Sequence, residues 1–520
     1  MGTKQNTMSK IRKALISVSN KKNLKPVLNI LTKYKVEIIS SGGTYNVIKK
    51  LGFKCTEISK FTNTPEILNG RVKTLHPKIY GGILNKRKNK KHNKEIKKNN
   101  YENIDLIIAN FYPFEEVLLE KTNHNKIIEN IDIGGPTMVR AAAKNYNDVV
   151  VICNPIQYKR LINEIKTNKG STKLDFRERL AEEAFMETAY YESKIFKYFN
   201  DKSNNIFPEK NIISSKLIKQ TRYGENPHQK AAIYSKNNNP EIIQLNGKDL
   251  SYNNYNDIYS ALSVTKLLPN NKGVAIIKHT NPCGVSINQN KVKSFKEALE
   301  SDPISAYGGI VSCNFKMKIN LAREMNKIFF EIIMAKGFDK KSINLLKKKN
   351  NLRLIDTSTF KGDNKLDFIN KSNSILIQSV DNKNFSKKDF KVVSKRKPNN
   401  ETFKKLIFAF NICRKVKSNA IVITNNYKTI GIGSGQPSRL DSCQIAINKM
   451  KKFQNLKKST QLIAASDAFF PFVDGIEKLV QSGVTAVIQP SGSKNDNEII
   501  KFANLTNTIL VFSKTRHFNH

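Results

Sequence analysis

Short apolar runs alternate with helical patterns through the first two hundred residues. Ala14–Val18, Val36–Ser40, Asp105–Asn110 and Asp148–Cys153 read as buried strands, each followed by a turn or helix signal. That alternation predicts an α/β fold around a parallel sheet. Leu180, Ala184, Phe185, Thr188, Tyr191 and Ile195 recur at helical spacing and predict a long amphipathic helix from about Asp175 to Phe199. The polar stretch Asn200–Lys219 follows and reads as a linker. A second α/β region begins near Thr221, with strand candidates at Gly273–Lys278, Ile310–Cys313, Ile375–Gln378, Ala420–Thr424, Leu462–Ala465 and Thr485–Gln489. The pattern fades in the charged span Asp339–Lys397, which is expected to contain an internal boundary. The predicted organisation is a domain over 1–199, a linker over 200–219, and a region over 220–520 that divides roughly between 340 and 400. No repeat stands out at a fixed period, though the second region is large enough for two similar lobes.

Composition narrows the class. No stretch approaches the roughly 20 apolar residues that a membrane span requires, and Met1–Lys13 is polar and basic, without the apolar middle of a secretory signal. Cys55, Cys153, Cys283, Cys313, Cys413 and Cys443 are widely spaced and include no C-x-x-C pair, which fits reduced thiols in the cytoplasm. The 89 Lys and Arg against 43 Asp and Glu give a formal charge of +46, which raises nucleic-acid binding as a reading. The lysines scatter along the whole length, however. The runs within Lys86–Lys98 and at Lys347–Lys349 have no interleaved aromatic residues for base stacking, and no nucleic-acid-binding signature is present. The charge therefore reads as compositional drift, and neither nucleic acid nor membrane is an expected partner.

The first region carries a set of loops suited to an anion. Ser17-Val18-Ser19-Asn20-Lys21 and Ser40-Ser41-Gly42-Gly43-Thr44 each follow a strand and lead toward a helix. Hydroxyls, glycine amides and a helix N-terminus favour negative charge there, although either loop alone also fits an ordinary helix cap. Arg71, Lys73 and Thr74 add two cations and a hydroxyl in a turn-rich stretch. Tyr112 follows a strand, and Asp132 precedes a helix pattern that ends near Lys144. Taken singly, Tyr112 also fits the core, Asp132 a cap and Lys144 a C-terminal helix charge. Together they supply proton-transfer groups and oxyanion donors around a phosphate.

The second region repeats the theme with different chemistry. Arg222 and Tyr223 sit in a Gly/Pro turn and can clamp a phosphate and stack on a flat ring. The strand Gly273–Lys278 runs into Lys278-His279, with Asn281-Pro282-Cys283-Gly284 expected to fix the turn. A lone histidine there more often has a structural role, and the adjacent lysine shifts the reading toward an acid/base centre. Gly308 belongs to a glycine pair before a strand, and Asn419 precedes another strand. Arg439 follows a glycine loop that lacks the dinucleotide spacing. Phe469, Phe472 and Asp474 offer an aromatic wall beside carboxylates, and Arg516 lies in the last residues.

The motifs SGGT, GRVKTLHP, NFYPF and IDIGGPTMVRAAAKN, in this order, resemble the cyclohydrolase half of the bifunctional AICAR transformylase/IMP cyclohydrolase family. RYGENPHQ, KHTNPCG, SDPISAYGG, KSNA, GIGSGQPSR, SDAFFPF and RHFNH resemble the transformylase half. The resemblance implies a methylglyoxal-synthase-like parallel-sheet domain followed by two cytidine-deaminase-like lobes. It implies formyl transfer from 10-formyltetrahydrofolate to AICAR, then dehydrative closure of formyl-AICAR to IMP. Lys73, Tyr112, Asp132 and Lys144 match the family's catalytic positions in the first half. Ser17, Ser19, Lys21, Ser41, Gly42, Gly43, Thr44, Arg71 and Thr74 match its substrate-contacting segments.

In the second half, His279 would be the general base, with Lys278 assisting proton transfer or stabilising the transition state. Asn419 would orient substrate, and Asp474 would contact the folate or the intermediate. Arg222, Tyr223, Gly308, Arg439, Phe469, Phe472 and Arg516 would bind AICAR or flank the folate. The family further implies a homodimer whose transformylase sites draw on both subunits. No metal is expected, because Pro282-Cys283 lacks the second cysteine of the deaminase zinc signature. Met334 and Lys336, in what reads as a folate-side loop, depart from the usual family residues, as does Asn20.

Overall fold

The apolar runs of the first region fold into a five-stranded parallel sheet with helices packed around it. The computed structural model describes residues 7–120, 122–236, 241–362, 365–456 and 460–520, and the chain divides into two units, Met1–Ser214 and Ser215–His520. In the first unit the strands β1 (Lys13–Val18), β2 (Glu37–Ser40), β3 (Thr56–Glu57), β4 (Leu106–Asn110) and β5 (Val150–Ile152) lie in the order β3-β2-β1-β4-β5. The chain builds outward from β1 on one side and then returns to β4 on the other. The crevice beyond the carboxyl ends of β1 and β4 is thus the topological switch point, where ligands bind in such sheets.

Three predicted strands start one or two residues before the observed ones, which open at Glu37, Leu106 and Val150. Asp105 immediately precedes β4: its backbone N–H donates to the Lys13 carbonyl at 2.9 Å and its carbonyl accepts Val150 N–H at 2.8 Å, while its carboxylate accepts the backbone N–H groups of Arg12 at 2.9 Å and Lys13 at 3.1 Å. Asp148 likewise accepts the Arg87 N–H at 3.1 Å.

Three helices of this unit border the loops that carry the predicted site residues. They are α1 (Gly42–Lys50), α2 (Gly134–Lys144) and α3 (Leu174–Ser203). The long helix was expected to stop at Phe199, but it continues into the supposed linker. Lys197 and Asp201 pair across one turn at 2.9 Å, and Asn204, at φ 53°, ends the helix in the left-handed conformation that asparagine tolerates.

The second unit opens with a separate antiparallel hairpin, β6 (Lys216–Thr221) and β7 (Ala231–Ser235). The chain then runs β8 (Ile243–Asn246), α4 (Tyr252–Thr265), β9 (Gly273–Lys278), β10 (Asn281–Ile287), β11 (Ile310–Cys313), β12 (Ile332–Ala335) and β13 (Arg353–Asp356). A second isolated hairpin follows, β14 (Leu366–Lys371) and β15 (Ser374–Ser379). The remaining chain runs β16 (Phe390–Val392), α5 (Asn400–Cys413), β17 (Ile421–Asn425), β18 (Lys428–Gly433), α6 (Arg439–Phe453), β19 (Leu462–Ser466), α7 (Val473–Gln481), β20 (Val484–Pro490), α8 (Asp496–Leu505) and β21 (Ile509–Ser513).

These strands form one twelve-stranded sheet in the order β8-β13-β12-β11-β9-β10-β18-β17-β19-β20-β21-β16. Read outward from its centre, β10-β9-β11-β12-β13-β8 and β18-β17-β19-β20-β21-β16 are the same arrangement. The two lobes are therefore a structural repeat, joined at the Ser286↔Lys428 pairing of β10 and β18. Alternate residues of β9 serve opposite faces, as a strand requires. Ala275 and Ile277 pack in the core that includes α4 and α5 residues, while Val274 and Ile276 pack in the core opposite.

Three segments differ from the sequence expectation. Ile375–Gln378 is strand, but it belongs to the exposed β14–β15 hairpin and not to the main sheet. Asn281-Pro282-Cys283-Gly284 is not a turn: it forms the first part of β10, with a register shift beside Pro282. Met334 is not in a loop but is a fully buried residue of β12, paired with Ser312 and Ile355, whereas Lys336 lies exposed just past the strand end.

Candidate active sites

In the first unit most of the predicted residues, Arg71 and Lys144 excepted, converge at the carboxyl edge of the sheet. Ser17, next to last in β1, has its hydroxyl 3.3 Å from that of Ser41, which precedes α1. Asn20 and Asn110 close the crevice between β1 and β4. Asn20 N–H donates to Asn110 Oδ1 at 2.8 Å, and Asn110 Nδ2 donates to the Asn20 carbonyl at 3.0 Å. Thr44 is buried and exchanges hydrogen bonds with the Val18 backbone at 3.0 and 3.1 Å, so it braces the loop. Lys21 Nζ rests on the Ser19 carbonyl at 3.1 Å.

Two lysines flank the start of α1. A methyl group on Gly42 would lie 3.6 Å from Lys73 Nζ, and one on Gly43 would lie 3.9 Å from Lys21 Nζ. The Ser41 carbonyl takes the N–H groups of Thr44 and Tyr45, which leaves those of Gly42 and Gly43 at the helix end, where intrahelical partners are lacking. Helix-terminal amides between two ammonium groups favour an anion. Thr74 is buried, and its Oγ1 would lie 2.6 Å from a methyl on Gly134, so this hydroxyl abuts the start of α2. Arg71 stands outside this core, exposed and paired with Glu129 at 2.9 Å.

Asp132 is held at the same edge. Its carboxylate accepts Gly135 N–H at 2.9 Å, capping α2, and also faces the Tyr112 N–H. Its own N–H donates to Tyr191 Oη at 2.8 Å, a contact from α3 that the sequence reading missed. Burial raises the Asp132 pKa; the two backbone donors and the Lys73 charge oppose that rise. Tyr112 is not a core residue, with 39% of its surface exposed.

Lys144 is separated from this cluster. It is the last residue of α2, whose first turn adjoins Asp132. The 11-residue helix puts its ends about 15 Å apart. The next residue, Asn145, donates to the carbonyls of Ile83 and Asn85. Asn85 in turn bonds Asn103, near the amino end of β4. Lys144 thus lies at the opposite edge of the sheet, as a basic C-terminal helix residue.

In the second unit, Lys278 and His279 lie at the tip of the β9–β10 hairpin. The turn is formed by His279 and Thr280, at φ 50° and 62°. Lys278 Nζ donates to the Tyr307 carbonyl at 2.8 Å, which brings it beside Gly308. Asn281 accepts the Lys417 N–H on its Oδ1 at 3.1 Å and so ties this hairpin to the Lys417–Asn419 segment.

Asn419 is fully engaged. Its Nδ2 donates to the carbonyls of Gln436 and Pro437 at 2.9 and 2.8 Å, and its Oδ1 accepts from Arg439 at 2.6 Å. Arg439 is itself buried and pairs with Asp467, which has no exposed surface, and with Ser466 Oγ at 2.8 Å. Asp467 also accepts the Ser418 hydroxyl at 2.6 Å. Arg439, expected to touch substrate, thus has protein partners on both terminal guanidinium nitrogens.

The chain end closes on the same place. Ser418 N–H donates to the Asn519 carbonyl at 3.0 Å, and Lys417 Nζ donates to the His520 carbonyl at 2.6 Å. Arg516 in this tail is exposed and lies over the Phe518 ring at 4.7 Å. Phe469 is half-buried, while Phe472 and Asp474 lie exposed at the start of α7, where Asp474 accepts Gly475 N–H at 2.7 Å. Arg222 and Tyr223 occupy the β6–β7 loop, which Asn253 of α4 anchors through the Glu225 carbonyl at 3.2 Å. Among the described residues no hydrogen bond joins Arg222 or Tyr223 to the Lys278–His279 turn.

Comparison with known proteins agrees across the chain. Residues 23–137 match the MGS-like domain and residues 142–449 match the AICARFT/IMPCHase bienzyme family. The chain is similar to the bifunctional purine biosynthesis protein PurH of Persephonella marina, at 43% identity over 98% of this chain and 100% of that protein. The PurH protein of Thermoanaerobacter sp. is 42% identical, over 98% of this chain and 100% of its own length. That of Leptospira biflexa serovar Patoc is 41% identical, over 99% and 100%.

Proposed function

The chain belongs to the AICARFT/IMPCHase bienzyme family, and from that premise we propose how its two units divide the work. It is a bifunctional enzyme of purine biosynthesis. It transfers a formyl group to AICAR and closes the resulting formyl-AICAR to IMP. In our reading the first unit performs ring closure and the second performs formyl transfer from 10-formyltetrahydrofolate. The observation that supports this reading is that Ser17, Ser41, Lys21, Lys73, Thr74 and Asp132 meet at one sheet edge of the first unit, while the Lys278–His279 hairpin, Lys417–Asn419 and the chain end meet in the second.

In the first unit the substrate phosphate sits at the start of α1, between Lys21 and Lys73. The carboxamide nitrogen attacks the formyl carbon, and water leaves after proton transfer. Asp132, with its raised pKa, and Tyr112 move protons, while Lys73 offsets charge on the developing oxyanion. The position of Lys144 at the far end of α2 argues against a direct part in this step.

In the second unit His279 accepts the proton lost by the AICAR amine as its nitrogen bonds the formyl carbon. The bond from that carbon to the folate nitrogen breaks, and the folate nitrogen is protonated. Lys278, held on Tyr307, supplies positive charge beside the reacting groups. Asn419 is kept in one orientation by its three side-chain partners. Gly308, Phe469, Phe472, Asp474, Arg222, Tyr223 and Arg516 provide the surrounding walls and anion contacts.

A homodimer is part of this proposal. Two-stranded hairpins are marginal alone in water, yet β6–β7 exposes Leu217, Ile218 and Tyr234, and β14–β15 exposes Ile369, Ile375 and Leu376. A second copy covering these side chains accounts for them. The cytoplasm is the proposed compartment.

The test supplies AICAR and 10-formyltetrahydrofolate to the pure protein. Tetrahydrofolate and IMP should both appear. Accumulating formyl-AICAR would contradict the reading of the first unit, and absence of tetrahydrofolate would contradict that of the second.

A further inference from the structure

The turn that carries His279 is held from behind by a helix outside the recognised motifs. Both residues of that turn have positive φ, at 50° and 62°. Two-residue turns of this hand favour asparagine and glycine, and a β-branched residue such as Thr280 is strained there. Such strain persists only where the surroundings offset it.

Helix α4 supplies that support. Asp257 Oδ1 accepts the Thr280 N–H at 2.6 Å, and Ser260 Oγ donates to the Thr280 carbonyl at 2.7 Å. These side chains lie three residues apart on α4, so one helix face grips both polar groups of the same peptide residue. The Asp257 carboxylate also faces the N–H and the ring of His279. Burial raises its pKa, and these donors and the His279 charge oppose the rise. On the outgoing side, Asn281 Nδ2 donates to the His279 carbonyl at 3.2 Å while its Oδ1 holds Lys417.

We propose that Asp257, assisted by Ser260, is a positioning residue for formyl transfer, fixing the His279–Thr280 turn so that the imidazole meets the substrate amine beside Lys278 and Asn419. The proposal rests on the reading of His279 as the general base. A base must lie within hydrogen-bonding reach of the proton that it removes. A displacement of about 1 Å can cost on the order of a hundredfold in rate. Asp257 acts through the backbone of the turn, so its loss should lower kcat more than it raises KM for AICAR.

The experiment measures both activities of the full-length protein. Asp257→Ala should lower transformylase kcat on the order of a hundredfold, with KM for AICAR changed less than about threefold. Cyclohydrolase activity, in the other unit, should be unchanged. Asp257→Asn keeps an acceptor oxygen for Thr280 N–H and should recover at least tenfold of that loss. Ser260→Ala should lower kcat roughly threefold to tenfold, and it decides the matter if Asp257→Ala does not fold. A kcat within threefold of wild type in Asp257→Ala overturns the proposal, as does a loss that Asp257→Asn leaves uncorrected. An unchanged kcat in Ser260→Ala overturns it as well. His279→Ala tests the underlying reading separately: if formyl transfer survives that change, the general-base assignment itself is wrong.

Discussion

Arg439 holds the side-chain oxygen of Asn419 at 2.6 Å with one guanidinium nitrogen, while another is committed to Asp467. The fork geometry is what allows one residue to serve both partners. Arg439 therefore sets the orientation of Asn419 from inside the protein. Lysine offers a single point charge and cannot reproduce this arrangement. Arg439→Lys should lower transformylase kcat by about tenfold or more and leave cyclohydrolase activity intact. Asp467→Ala strands a buried guanidinium, which should destabilise the second unit by about 3–5 kcal/mol. Denaturant unfolding of the two variants reads the stability term, and steady-state kinetics reads the other.

Lys73 and Lys144 should differ sharply despite both matching catalytic positions by motif. Lys73 lies close enough to Gly42 and Asp132 to influence charge at the α1 terminus. Lys144 is about 15 Å from that cluster along α2. Lys73→Ala should lower ring closure by on the order of a hundredfold, whereas Lys144→Ala should stay within about threefold of wild type. Formyl-AICAR turnover by each variant is the measurement; equal large losses would show that Lys144 reaches the site in the working enzyme.

Much of this architecture was legible, and the parts that were not have identifiable reasons. Strands such as Gly273–Lys278 and Ile310–Cys313 were readable because they are mainly apolar runs, buried on both faces over nearly all their length. Their neighbours β10 and β18 were hidden by proline, cysteine, glycine and threonine, which suggest turns locally but lie within the sheet here. The two-lobe repeat is carried by topology and not by sequence period, so no self-similarity signalled it.

The candidate sites show the same division. Motif residues at loop edges, such as Lys73, Asp132 and His279, were visible as chemistry-bearing groups in turn-rich segments. Asp257, Ser260 and Tyr191 were not, because each lies on a helix whose spacing gives no hint of what it faces across the fold. Arg439 was visible as a cation beside a glycine loop, but its buried partner Asp467 was not, since the two are far apart in the chain.

The thiols should be inert in the native state. All six cysteines are free, and Cys55 alone is half-exposed. Burial pushes Cys153, Cys283 and Cys443 up to about 12 and Cys55 up to about 11. Burial also raises Cys313 and Cys413. The reactive species is the thiolate. Iodoacetamide near neutral pH should therefore modify Cys55 on the order of a hundredfold more slowly than a free cysteine, and the other five only after unfolding. Mass spectrometry of timed samples, with and without denaturant, gives the count.

Asp132 should impose opposite pH signatures on activity and on stability. Burial raises its carboxyl above the ordinary value of about 3.9, while ring closure in our reading requires the carboxylate. The acid limb of the cyclohydrolase profile should therefore lie above pH 3.9, and Asp132→Asn should abolish most of the activity. The stability term follows from proton linkage. A raised native pKa means that the folded chain binds this proton more tightly than the unfolded chain does. Its contribution is fully present below about pH 3.9 and is lost as pH rises through the native value. The stability of wild type relative to Asp132→Asn should accordingly fall across that window, even as ring closure rises. Parallel pH series of chemical unfolding and of formyl-AICAR turnover test the two slopes. If both rose together, Asp132 would be better stabilised as a carboxylate in the folded protein than its burial indicates, and the proton it moves would have to be assigned elsewhere.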